Sequence, residues 1–82
     1  MVKSKYLTNQ LDWDERIRAM EEDLSNKHYN FLYFKIALNL NDARDSADYD
    51  KEQVLIKMLT AFKKGAYKSV YTLIGVLKSL LQ

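Results

Sequence analysis

The sequence predicts an all-α fold, with four helices arranged as two helical hairpins in one small bundle. Three observations carry that expectation. Proline is absent and only two glycines occur in 82 residues, so little in the chain interrupts a helix. Apolar residues recur at helical spacing, most clearly Val54, Leu55, Met58, Leu59 and Phe62. The chain also matches itself under a shift of 38 positions: Asp12 falls on Asp50, Met20 on Met58, Tyr29 on Tyr67 and Ile36 on Ile74. Such agreement suits a degenerate internal repeat of 38 residues, although two amphipathic hairpins of similar build would also give part of it.

Residues 1–10 are polar and basic with weak periodicity, and read as a flexible lead-in to a single domain spanning 1–82. The first hairpin covers 11–40. Asp12 and Glu15 have the spacing of a capping box, with acids where the helix dipole favours them. Trp13, Ile17, Met20 and Leu24 then mark one apolar stripe, and Arg16, Arg18, Glu21, Glu22 and Asp23 a solvated side. After the polar break Ser25-Asn26-Lys27, the segment from His28 to Ala43 is apolar nearly all round. Alternation of Leu32, Phe34, Ile36, Leu38 and Leu40 would also suit a strand. The segment's length, its lack of a hairpin partner and its continuation into N-D-A-R favour a helix.

Residues 41–49 read as an acidic linker between the halves, and 50–82 as the second hairpin. Asp50 and Gln53 form the next capping-box pattern, with Tyr49 placed to staple onto Val54. Lys63 and Lys64 suit the negative end of that helix, and Gly65 its left-handed terminator. A last helix resumes at Tyr67 or Ser69. Tyr67, Val70, Ile74, Leu77 and Leu81 form its inner line, and Lys68, Thr72, Gly75, Ser79 and Gln82 a solvated back face.

The segments K-K-G-A-Y-K-S-V-Y-T-L-I-G-V-L and K-H-Y-N-F-L-Y-F-K-I-A-L-N-L resemble the turn and second helix of a tetratricopeptide repeat. The resemblance covers those turns and helices only. The repeat length of 38 exceeds the family's, Leu32 and Val70 stand where a small alanine is expected, and no closing proline follows either unit. The family's peptide groove is therefore not carried over.

Composition narrows the function. Cysteine is absent, so disulfide and thiolate chemistry are excluded, and a reducing, cytoplasmic setting is expected. Residues 1–10 lack the apolar run of a signal peptide, and Lys68 and Lys78 interrupt the only candidate membrane span. His28 is the single histidine and reads as a surface or capping residue rather than a metal ligand. Asp42, Asp45, Asp48 and Asp50 lack the glycine and closing glutamate of an EF-hand loop, so no metal or other cofactor is expected. With no nucleophile–base pair and no phosphate loop, catalysis is not expected either.

Charge is unevenly laid out: residues 1–52 hold all 11 acids, whereas 53–82 hold Lys57, Lys63, Lys64, Lys68 and Lys78 and no acid. That asymmetry can dock the halves on each other or attract an acidic partner. Lys63, Lys64 and Lys68 are thus the candidate nucleic-acid contacts of an alternative reading, in which the second hairpin is a basic DNA- or RNA-binding element. A membrane-surface role for the basic, apolar last helix is a further alternative. The leading expectation rests on excess apolar side chains. Tyr33, Phe34, Tyr71 and Val76 exceed what one small bundle can bury, so they are expected to form a protein interface, including a homodimer.

Overall fold

The structure, a computed structural model, describes residues 5–81, with side chains from Asp12 onward. It contains α1 (Lys5–Ser25), α2 (Tyr29–Asp45), α3 (Tyr49–Lys63) and α4 (Tyr67–Ser79), and no strand among the described residues.

One turn motif joins all four helices. Lys27, Ala47 and Gly65 adopt left-handed backbone conformations, with φ of 61°, 58° and 75°. The residue after each donates its N–H to a carbonyl of the preceding helix: His28 to Asp23, Asp48 to Ala43, and Ala66 to Ala61. The left-handed residue itself donates to Leu24, Arg44 or Phe62. This is the Schellman pattern, which satisfies carbonyls that a helix end otherwise leaves orphaned. So short a link returns each helix along its predecessor. Only Gly65 occupies the left-handed position without a Cβ penalty. Ala47→Gly is therefore expected to raise stability by about 1 kcal/mol. Gly65→Ala is expected to lower it by a similar amount through backbone conformation alone, since a Cβ there would meet nothing within 4 Å. Opposite shifts in the urea midpoint would verify both.

The turns also correct several sequence expectations. The acidic linker expected at 41–49 is mostly helix, because α2 continues to Asp45 and leaves only Ser46, Ala47 and Asp48 between helices. The cap of α3 is Asp48 rather than Asp50; its carboxylate accepts the Lys51 N–H at 3.4 Å and the Lys51 ammonium at 2.5 Å. The Schellman turn imposes this, since its last residue doubles as the next N-cap. Asp50 falls in the first turn instead, and Tyr49 is the first helical residue, well exposed rather than stapled ahead of a cap. At the other end, residues 5–10 of the expected lead-in are helical, while 1–4 lie outside the described residues. The Lys5–Leu11 stretch contains neither glycine nor proline, so a helix nucleated downstream can extend through it. Asp12 consequently sits inside α1, where it pairs with Arg16 at 2.7 Å instead of capping.

α1 packs on α2 and α4, and α3 packs on the same two, so the helices close a ring around one core. A stack of repeats would instead stay open at its ends. Every helix contributes at spacings of three and four: Trp13, Ile17 and Met20; Leu32, Ile36, Leu40 and Ala43; Leu55 and Met58; Val70, Ile74 and Leu77. Four shift-related apolar pairs are buried in both halves: Ile17 with Leu55, Met20 with Met58, Leu32 with Val70 and Ile36 with Ile74. The shift-related Tyr29 and Tyr67 stack on each other, ring centroids 4.3 Å apart and planes 8° from parallel. Under the shift α1 falls on α3 and α2 on α4, and the ring sets α2 against α3 and α4 against α1. The buried polar side chains are answered locally: Asp23 by Lys35 at 2.5 Å, and Asn39 by Arg16 at 3.2 Å.

Candidate functional site

α2 has two apolar faces, and the core uses one of them. Leu32, Ile36, Leu40 and Ala43 point inward. On the opposite side Phe31, Phe34 and Leu38 follow the same three–four spacing but are 60, 62 and 62 % exposed. Three large apolar side chains in a row on solvent are a feature that folding alone does not favour. The internal repeat supplies a control. The equivalent positions on α4 are Ser69, Thr72 and Val76, which are also exposed. The same backbone site in the same fold therefore does without aromatic bulk, and Phe31 and Phe34 are additions that the bundle does not require.

The expected interface residues do not share a face. Tyr33 and Phe34 are neighbours, their rings 6.1 Å apart, but Tyr33 turns toward α3, where its ring lies 5.9 Å from that of Phe62. It belongs to a run of aromatic contacts that continues through Phe62 to Tyr29 and Tyr67. At 38 % exposure it is the margin of this internal cluster. Tyr71 and Val76 are 60 % and 41 % exposed. A separation of five positions sets them about 140° apart around α4. Tyr71 instead lines an open groove with Leu24, Tyr29, Tyr67 and Lys68. Phe34 does not line that groove; it lies on the outer face of α2.

The lysines are better grouped. Lys63, Lys64 and Lys68 surround the third turn, and all are exposed. Of the five lysines in the tail half, only Lys78 forms an ion pair among the described residues, with Glu21 at 2.9 Å. Lys57, Lys63, Lys64 and Lys68 have no ion-pair partner among the described residues, and the hairpins are joined by the Lys78–Glu21 and Arg44–Glu52 pairs. Gly75 also lies open, with nothing within 4 Å of a Cβ built there, as a solvated back face requires. Asp42 and Asp48 are engaged by Arg16 and Lys51, at 2.6 and 2.5 Å. His28 caps α2 by position without a side-chain bond, its Nδ1 3.9 Å from the Asp23 carboxylate.

Sequence reasoning named Phe34 and missed Phe31 and Leu38. Their spacing was visible, but two interleaved stripes on an all-round apolar helix look alike until the neighbouring helices choose between them. Among the described residues, no helix is long and apolar enough to cross a membrane. No protein-family model matches the chain, and no curated protein or solved structure matches it either.

Proposed function

We propose that this chain is a non-enzymatic binding protein that acts by protein–protein contact, associating with itself, and that its contact surface is the outer face of α2. One observation carries the reading: Phe31, Phe34 and Leu38 are largely exposed in a row, where the equivalent face of α4 has Ser69, Thr72 and Val76. Apolar side chains so placed gain about 1.5–3 kcal/mol each when a partner covers them completely. Aromatic rings are also the residues that most often anchor such contacts. A regulator, inhibitor or accessory factor of this size would work in this way, without a deep site.

Sedimentation equilibrium provides the test. The weight-average mass is expected to rise above 9.7 kDa across the micromolar range. Phe34→Ser is expected to hold the chain at monomer mass while changing folding stability by no more than about 0.5 kcal/mol, as a surface substitution does. A wild-type chain that stays monomeric throughout would refute self-association. A second reading, binding of nucleic acid by the second hairpin, is favoured by the exposed, unpaired Lys63, Lys64 and Lys68. The lysines supply charge for phosphate contact but no base-reading geometry, so this reading ranks below the first.

A further inference from the structure

The outer stripe of α2 does not end with its apolar residues. Extended at the same spacing, it closes with Asn41 and Asp45, and Lys27 stands in the turn just ahead of it, all three exposed. The spacings along Phe31, Phe34, Leu38, Asn41 and Asp45 alternate three and four, the seam along which two helices pack. The row is also its own reverse in position. Turned end for end about Ile36, position 31 falls on 41 and 34 on 38, which brings the turn that carries Lys27 to the end that carries Asp45.

The charges agree with that reversal. Lys35 is held by Asp23, Asp42 by Arg16, and Arg44 by Glu52, each within the chain. Lys27 and Asp45, at opposite ends of the stripe, have no ion-pair partner among the described residues. A second copy laid antiparallel on the first supplies both at once, since a two-fold contact presents the same patch from each side. Phe34 then meets the partner's Leu38 at the centre, and Phe31 lies beside the partner's Asn41, whose amide can stay in water at the rim. A parallel arrangement would set lysine against lysine and aspartate against aspartate.

We infer that the occupant of the α2 outer face is a second copy of this chain, docked antiparallel so that Lys27 of each protomer pairs with the partner's Asp45. The inference rests on the self-association reading above and adds the direction in which the two copies dock. Charge exchange tests the direction. Lys27→Glu and Asp45→Lys, made singly, each place two like-charge pairs in the contact, and each is expected to weaken dimerisation about tenfold at low salt. The double variant restores opposite charges and is expected to return to within about threefold of wild type. Circular dichroism on each variant confirms that folding is unchanged.

If the wild type does not dimerise, both the reading above and this inference fall. If it dimerises but neither single variant weakens it, another surface is the contact and the antiparallel seam is refuted alone. If the single variants weaken the dimer but the double variant does not recover, the α2 face is used without the Lys27–Asp45 pairing, which overturns the stated direction.

Discussion

Trp13→Ala is expected to lower folding stability by about 3–5 kcal/mol, the largest effect of any single substitution considered. Trp13 is the only tryptophan and is 3 % exposed. Its ring also holds two cations, the Arg16 guanidinium 5.0 Å and the Lys51 ammonium 5.1 Å from the centroid. Lys51 comes from α3, so the indole ties together helices that do not otherwise pack on each other. A chain of this size has about 4–12 kcal/mol of total stability, so the loss would leave a substantial unfolded fraction even without denaturant. Trp13→Phe keeps an aromatic face for both cations and is expected to lose less than half as much. Urea unfolding followed by far-ultraviolet circular dichroism would measure each. A loss below about 1 kcal/mol for the alanine variant would mean that the ring is not a core residue.

On α4, Ile74→Ala should cost about 2–5 kcal/mol, and Val76→Ala, two positions along, no more than about 0.5. Ile74 is 1 % exposed and central in the core, whereas Val76 is 41 % exposed and faces away. Both substitutions remove methyl groups from apolar residues in the same helix. Any difference between them therefore reports which way α4 is turned. Equal losses would show that Val76 is buried, and would undermine the comparison of α4 with the outer face of α2.

Much of the helical architecture follows from local physics and is legible in the residues alone. Helix formation follows from the absence of proline and the 3–4 spacing of Ile17, Met20 and Leu24, or of Leu55, Met58 and Phe62. A left-handed stop at Gly65 is equally local, because glycine alone takes that conformation freely. The left-handed Lys27 and Ala47 were not legible, since neither residue prefers such a backbone; the packing of the helices on either side imposes it. The same turn moved the start of α3 from Asp50 to Asp48, although both aspartates look like caps in the sequence.

Which side of α2 faces inward depends instead on the helices packed around it. Leu32, Ile36 and Leu40 and the outer row of Phe31, Phe34 and Leu38 are comparably apolar, so neither row outranks the other by composition. Hydrophobic burial has no direction of its own. The side is chosen where α1 and α3 supply Met20 and Met58 to cover it, and the row left over faces solvent.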